Sequence, residues 1–525
     1  MKKVYLLDCT LRDGGYVNNW NFGEETIKGF GEKIAKTGVE FYEVGFIKGD
    51  TYDPNKNVFP DLESIAPMIT PKFPNMKYVG MIDMGAPIPI ERIKPYDGSS
   101  IDGIRVIFKK SKIEEAYEYC KRVQELGYFI SVNLVGTDLY SDTEFIEAIE
   151  KFNDLNPYVF SIVDSFGVIK RKQFLRLVYL ADNNLKEGII LAYHAHNNLQ
   201  QAYGNAEALV ELNINRDVLI DACVFGMGRG AGNLNLELFA EYMNENYGTD
   251  YKIEPMLEIM DEYLNDIYRT KFWGYSLPLY MSANEGCHPN YSIYYAERHA
   301  LTVKTFNELL QSIPRKDAIN FSKEKAEYYL RNYLENKNIR DDKEELNKLR
   351  EELSGKEIVI LAPGKSLSIN KDVIRNLCTE KKVIATNFLA KDFSPDYIFS
   401  SNMRRFVKIQ GKTNAKCIVT SNIDEASQKD YIINFATYAS KYADIIDNSV
   451  LMLLKLLKKL SVKKVYIAGM DGYSEGEYTA YYDNELEYDF TEEAVKRNQL
   501  ISEELKDLKT YLEMEFVTPT VYNVE

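Results

Sequence analysis

Over its first 230 or so residues the chain repeats one unit eight times: a short β-rich run, a turn, then a longer stretch of helical periodicity. The runs are "KVYLLDCT", "FYEVGFI", "YVGMID", "GIRVIF", "ISVNLVG", "VFSIVDSFG", "IILAYHAHN" and "VLIDACVFGMG". Between them lie segments such as "EETIKGFGEKIAKTG" and "IEEAYEYCKRVQELG", each closing on a glycine suited to a helix C-terminus. Eight βα units in that length predict a closed parallel TIM (β/α)8 barrel, because an open doubly wound sheet has fewer strands. At 525 residues the chain exceeds one ordinary core. We therefore read residues 1–275 as the barrel, 276–350 as a helical extension with a charged connector, and 351–525 as a second α/β domain.

Charge narrows the partners. A formal net charge of −15 and a pI near 5.1 oppose binding to nucleic acid or an anionic membrane, since phosphates would be repelled. Small metabolites are the expected partners. The six cysteines, Cys9, Cys120, Cys223, Cys287, Cys378 and Cys417, form no C-x-x-C pair, so neither a disulfide framework nor a thiolate zinc site is expected. The apolar start stops at Asp8, too soon for a secretion signal, and the "LMLLKLLKKL" run carries lysines at helical spacing. A cytoplasmic protein without a membrane span is expected, as a homo-oligomer.

Polar residues collect where the strands end. Arg12 and Asp13 follow strand one, Glu43 lies in strand two, Asp83 ends strand three, Arg105 lies in strand four, Asn133 in strand five and Asp164 ends strand six. In a barrel this end of the strands is the active-site face. The plainer reading is that strand ends meet solvent and are polar anyway. Glu43, Asp83, Arg105, Asn133 and Asp164 are read as substrate contacts.

"YHAHNN" places His194 and His196 two apart on strand seven, so both rings point to one side. With Asp13 from strand one, a neighbour of strand seven across the closed barrel, they give two nitrogens and a carboxylate, a set that leaves open positions on a divalent ion. An H-x-H pair by itself is more often two surface histidines, but the chain has only four histidines and two stand here. Nitrogen and oxygen ligands without a thiolate suit manganese or magnesium ahead of zinc or cobalt.

"LLDCTLRDGG", "YHAHNN" and "GMGRGAGN" together resemble the DRE-TIM metallolyase superfamily, which includes 4-hydroxy-2-oxovalerate aldolase, 3-hydroxy-3-methylglutaryl-CoA lyase and isopropylmalate synthase. The resemblance spans about the first 275 residues. It implies that Asp13, His194 and His196 bind the metal and that Arg12 stabilises an enolate during carbon–carbon cleavage or condensation. The aldolases of that group carry a proton-transferring histidine where this chain has Tyr16. A tyrosine, with a pKa of about 10, is a poor base unless cations lower it, but it can donate a hydrogen bond or proton. Asn18 and Asn19 suit substrate contacts and a turn equally well.

"GMGRGAGNLNLELF" is a glycine-rich turn entering a helix, with Arg229 and Asn233 as anion or substrate contacts; the tight turn alone also explains the glycines. Beyond the barrel, "FWGYSLPLYMSANEGCHPNYSIYYAERHALT" resembles the helical extension that caps the barrel in those aldolases, which makes His288 or Tyr291 a candidate for the missing base; packing explains His288 equally well, and His299 reads as a packing histidine.

From "KEIVILAPGKSLS" onward, alternating strands and helices predict a Rossmann-like open sheet of roughly 170 residues. "APGKSL", "ATN", "PDYIFSSN" and "YIAGMDGYSEG" resemble bacterial sialyltransferases and 6-hydroxymethylpterin diphosphokinase-like proteins of surface-glycan pathways. The resemblance implies a nucleotide or nucleotide sugar bound by Gly364, Lys365, Ser366, Asn387 and Asp471. No histidine follows His299, whereas those sialyltransferases rely on a histidine base.

The leading expectation is a metal-dependent aldolase or lyase joining or splitting a 2-oxo acid of the pyruvate type and an aldehyde, in surface-polysaccharide precursor synthesis. The alternatives are a Claisen-type synthase using an acyl-CoA, and a bifunctional glycan-pathway transferase whose second domain carries the main activity.

Overall fold

The computed structural model describes residues 2–296, 301–337, 339–427, 429–474, 481–482 and 493–523; His299 lies outside them. The chain divides into two compact units, Met1–Pro289 and Asn290–Glu525.

The first unit is the closed parallel barrel. Its eight strands are β1 (Val4–Asp8), β2 (Phe41–Ile47), β3 (Lys77–Asp83), β4 (Gly103–Phe108), β5 (Phe129–Leu134), β6 (Val159–Asp164), β7 (Ile190–Ala195) and β8 (Val218–Ala222). Each pairs with the next, and β1 closes the ring by pairing with β2 (Leu7 to Phe41) and with β8 (Val4 to Val218). A two-residue strand, Val58–Phe59, adds outside β2. All seven residues of β2 are buried, as expected of a parallel strand covered on both faces.

Local rules explain the helices between. Glu24–Thr37 buries Ile27, Phe30 and Ile34 on one face and ends at Gly38, whose φ of 85° supplies the left-handed cap. Asp142–Asn153 opens with a capping box in which Ser141 and Glu144 satisfy each other's backbone N–H.

Inside the barrel, the period of two stacks side chains in layers. Leu7, Cys9, Phe41, Val79, Val159, Ile190, Ala192, Leu219 and Cys223 form one apolar cluster. Two residues further along their strands stand Glu43, Ser161, His194 and Asp221, all buried. The apolar layer thus supports a polar one, and the polar one faces the mouth.

The second unit contains an open sheet of seven parallel strands: β9 (Glu357–Leu361), β10 (Lys382–Thr386), β11 (Tyr397–Ser400), β12 (Lys416–Thr420), β13 (Tyr431–Ile433), β14 (Lys464–Ala468) and β15 (Met514–Phe516). Their order, β13-β12-β11-β10-β9-β14-β15, reverses direction between β9 and β14. The segment read as a charged connector belongs to this unit. Its helices Lys323–Asn336 and Lys343–Leu353 bury Ala326, Leu330, Leu334, Leu346, Leu349 and Leu353, so their charges are one face of amphipathic packing helices. The boundary between the units lies at Pro289, within the expected helical extension. Among the described residues no helix is long and apolar enough to cross a membrane.

Candidate metal centre

β1 leads into a short turn of π-helix, Thr10–Gly14, that buries Arg12 and Asp13 at the mouth. β7 delivers His194 and, just beyond its end, His196. One ligand atom from each of Asp13, His194 and His196 lies within 4.8 Å of the others, and all three residues are buried. The two imidazole planes are nearly perpendicular, at 89°.

Asp13 and His196 are in the protonation states a metal needs. Burial pushes the Asp13 carboxyl up, but Arg12, His196 and His194 together pull it well below the usual carboxylate range. Burial lowers His196 to about 4 against the opposing pull of Asp13, so its imidazole is neutral at pH 7. His196 Nδ1 is buried without a hydrogen-bond partner, and its Nε2 stands 3.8 Å from Asp13 Oδ2. These features fit a divalent ion between the three residues. A second cluster, Cys9, His194 and Asp221, also gathers its ligand atoms within 4.8 Å of one another. Burial, with Cys223 beside it, pushes the Cys9 thiol far up, and Cys9 Sγ lies 3.5 Å from Cys223 Sγ. Within that set, Asp221 Oδ2 is already bonded to His194 Nδ1 and to Arg105.

A ring of charge connects the ligands from below. Arg12 Nη1 donates to Asp13 Oδ1 at 2.6 Å and Arg12 Nε to Glu43 Oε2 at 2.8 Å. Glu43 Oε2 also accepts from Arg105 Nη1 at 3.0 Å, and Arg105 Nη2 donates to Asp221. Asp221 Oδ2 in turn meets His194 Nδ1 at 3.1 Å, which turns Nε2 of that ring toward the centre. Asn133 completes the set by accepting from Arg105 at 3.2 Å. Glu43, Arg105 and Asn133, expected to touch substrate, instead position the ligands, because two buried guanidinium groups must be matched by buried carboxylates. Arg12 Nη2 and Arg105 Nε are the donors left over, buried and without a partner.

Asp221 escaped the sequence reading; its signal was a single acid inside the otherwise apolar "VLIDAC". Asn233 belongs closer to the centre than expected: its side-chain amide lies 2.5 Å from Asp13 Oδ2. The same nitrogen also faces Met227 O at 3.2 Å, so the amide is oriented as a donor that holds Asp13 in place.

Other expected contacts are occupied elsewhere. Both Asp164 oxygens accept backbone N–H groups, from Val168 at 2.8 Å and Ile169 at 2.9 Å, so Asp164 shapes its own turn. Asp83 is exposed and accepts from Gly85 N. Asn18 and Asn21 bond each other's backbone oxygens, and Asn19 adopts a left-handed φ of 55°, so this pair of asparagines builds the turn. In the glycine-rich segment, the amides of Ala231, Gly232 and Asn233 donate to Asn198, Arg229 and Gly226, and a Cβ on Gly232 would meet Gly226 O at 2.1 Å. Close packing explains those glycines, and these amides are not an anion cradle.

Arg229 remains at the mouth. Its Nη2 lies 2.8 Å from His288 Nε2, and its guanidinium lies 5.7 Å from the centroid of the Tyr16 ring. Burial, then Arg229 and Lys109, lower His288 to about 3, leaving it neutral. Desolvation of the hydroxyl, then Asp13, raise Tyr16 despite Arg12 and Arg229, so it is a proton donor at neutral pH. Tyr291 has a different place: its hydroxyl donates to the carbonyls of Asp317 and Asn320 within the second unit.

In the second unit, a cavity of about 180 Å³ opens where the strand order reverses, lined by Gly364, Asn387 and Asp471 among others. Asp471 accepts from Ser366 N at 2.8 Å and from the Ser366 hydroxyl, so this carboxylate already fills the start of the loop's short helix. Lys365 is exposed and does not line the cavity.

The fold and this rim define the class of the first unit: a barrel enzyme of the carbon–carbon lyase type, with a place for a divalent ion. The family is then specific. Residues 3–261 match the HMGL-like family, and the barrel is an HMGL-like domain of the DRE-TIM metallolyase kind. The chain is 25% identical over 276 residues to a 4-hydroxy-2-oxovalerate aldolase of Desulfitobacterium hafniense, covering 51% of this chain and 79% of that one. It is 24% identical over 248 residues to an oxaloacetate decarboxylase of Mycobacterium tuberculosis, covering 45% of this chain and 68% of that one. Among solved structures, the HMG-CoA lyase from Brucella melitensis aligns with a TM-score of 0.41 at 15% identity, over 51% of this chain and all of that one.

Proposed function

We propose that the barrel is a divalent-metal-dependent aldolase, making or breaking a bond between a pyruvate-type 2-oxo acid and an aldehyde through an enolate. One observation carries this reading: a buried Asp13, His194 and His196 cluster beside a guanidinium whose Nη2 has no protein partner. A divalent ion held there would supply Lewis acidity toward the oxygens of a 2-oxo acid. With nitrogen and oxygen ligands only, magnesium or manganese suits the site better than zinc or cobalt. Arg12, fixed by Asp13 and Glu43, offers its remaining N–H to the oxygen on which negative charge develops, a contribution of several kcal/mol at about 10²–10³ in rate. Tyr16, protonated, donates to the hydroxyl or carbonyl oxygen of the aldehyde half. His288, a neutral imidazole whose Nε2 accepts from Arg229, holds that guanidinium beside the Tyr16 ring rather than serving as a base. The names of the similar aldolase and decarboxylase, both acting through carbon–carbon bonds of oxo acids, support the same chemistry.

The test is condensation of pyruvate with a panel of aldehydes, followed by chromatography of the products with and without added manganese or magnesium. Metal-dependent product without any acyl-CoA supports the aldolase; product only when acetyl-CoA is supplied supports the Claisen-type synthase instead.

For the second unit we infer a nucleotide or nucleotide-sugar site at the cavity between β9 and β14. Open parallel sheets bind ligands at the carboxyl ends of the strands where their order reverses. Gly364, Asn387 and Asp471 line it, along with the buried Arg405 and Arg497. With Ser366 bonded to Asp471, the two arginines are the anion-recognising groups of this reading. The resemblance to glycan-pathway enzymes supports a product used in surface polysaccharide. Calorimetric titration with cytidine, uridine and guanosine nucleotides tests it, and absence of binding to all three rejects it.

A further inference from the structure

Lys48 directly follows β2, which puts it on the same rim of the barrel as Arg12 and Asp13. Its Nζ lies 4.1 Å from the centroid of the Trp20 ring and 4.6 Å from that of Phe46. The Arg12 guanidinium lies 5.7 Å from the same Phe46 centroid. Tyr16 packs edge-on against both rings, with centroids 4.8 Å from Trp20 and 6.1 Å from Phe46. The Phe46 ring therefore borders both the Lys48 ammonium and the guanidinium assigned to the reacting oxygen, and the proposed proton donor packs against the same ring.

No carboxylate pairs with Lys48 among the described residues. Asp83 acts on it only at longer range, opposed by Lys56, and burial is the largest influence on it, lowering its pKa. Two other lysines of this unit show the ordinary pairing: Lys33 sits 2.6 Å from Glu258 and 3.0 Å from Glu262, and Lys72 sits 2.6 Å from Asp102. An ammonium has three donors and strong hydration. Two ring faces return only about 0.5–1 kcal/mol at an exposed site and accept none of those N–H bonds conventionally. The position is favourable for a lysine whose missing partner is an oxyanion brought by the substrate.

The surroundings hold that ammonium in place. Asn19 and Trp20 both have left-handed φ, 55° and 59°, a conformation that costs about 1–3 kcal/mol per residue and persists where neighbours fix it. The fixing bonds are Trp20 Nε1 to Arg12 O at 2.8 Å and Asn57 N to Trp20 O at 3.2 Å. On the other side, Arg92 bonds Gly49 O at 2.9 Å and Asp50 at 2.7 Å, pinning the backbone just after Lys48. The ring platform and the lysine's backbone are thus both anchored, which reduces the ordering cost of binding an anion.

We propose that Lys48 is a specificity-determining residue that receives the remote oxyanion, a phosphate or a carboxylate, of the aldehyde substrate, making the enzyme selective for anionic aldehydes. The proposal rests on the aldolase reading of the same mouth.

The full-length, metal-loaded protein is compared with Lys48→Met and Lys48→Arg. Pyruvate is combined with glycolaldehyde phosphate or glycolaldehyde, and with succinic semialdehyde or butanal, so the two pairs separate phosphate from carboxylate. The expected result is a kcat/KM ratio favouring the anionic member of at least one pair, cut at least tenfold through KM in Lys48→Met and largely restored in Lys48→Arg. A ratio that does not change in Lys48→Met, even if both rates fall together, overturns the proposal and makes Lys48 a clamp for the Trp20 loop. If no aldehyde reacts, the aldolase reading fails separately, and Trp20 still reports binding. Glycolaldehyde phosphate or succinic semialdehyde should then change the tryptophan fluorescence of the unaltered protein at concentrations at least tenfold below those needed for Lys48→Met. Equal or absent responses in the two proteins overturn the proposal.

Discussion

Asp221 Oδ2 meets His194 Nδ1 at 3.1 Å, and the same oxygen takes the Arg105 guanidinium, so one carboxylate orients a metal ligand and anchors the charge ring beneath it. Arg105 and His194 hold Asp221 below the usual carboxylate range even though burial opposes them. Replacing Asp221 with Asn should therefore weaken manganese binding by about 10–100-fold, the usual effect of removing a ligand's hydrogen-bond partner. Calorimetric titration of the apo protein measures it, and an unchanged Kd contradicts the assignment. Because Arg105 loses a buried counter-charge, the variant should also lose about 3–5 kcal/mol of stability, so the titration is done below its thermal transition.

Arg12→Lys separates catalysis from metal binding. Lysine keeps the charge but cannot bridge Asp13 and Glu43 while also presenting a further N–H. Turnover should fall about 10²–10³-fold, with bound metal, measured by elemental analysis, still near one equivalent per site. Turnover equal to that of the unaltered protein removes Arg12 from the chemistry.

His288 gives a pH signature of known sign. Its folded pKa, lowered to about 3, lies below the ordinary value of 6.5. As pH falls below 6.5, the unfolded state takes the proton first, so this residue's contribution to stability declines from about pH 6.5 down to about pH 3. His288→Gln should flatten the stability curve over that interval in denaturant titrations. Nitrogen-15 spectra of the imidazole should show a neutral ring at pH 5; a midpoint near 6.5 contradicts the burial beside Arg229.

The barrel was legible because its signals are local: strand runs, helix faces and closing glycines recur in order, and only a closed ring accommodates eight of them. Asp13, His194 and His196 were legible for a related reason, since residues two apart on a strand share a face and strand ends share a rim. Height along the barrel axis was not legible. Alternation says that Glu43, Arg105 and Asn133 point inward, but not that they lie one layer below the mouth and bind each other. Asp221 was hidden for the same reason. That Asp471 holds Ser366 was not legible, because the two stand 105 residues apart in sequence. The packing of the connector helices was not legible because exposed charge dominates their composition, while the leucines that anchor them are spaced for a single face.

The central claim is that the Asp13, His194 and His196 cluster enables enolate formation from a 2-oxo acid, and loss of the pyruvate methyl signal in D2O, followed by proton NMR, tests it most directly. The account predicts exchange with manganese or magnesium and no thioester, abolished by chelation, restored on adding the metal back, and reduced to the uncatalysed rate in His196→Ala. Exchange of equal rate after complete chelation, or none from the metal-loaded protein, would contradict it.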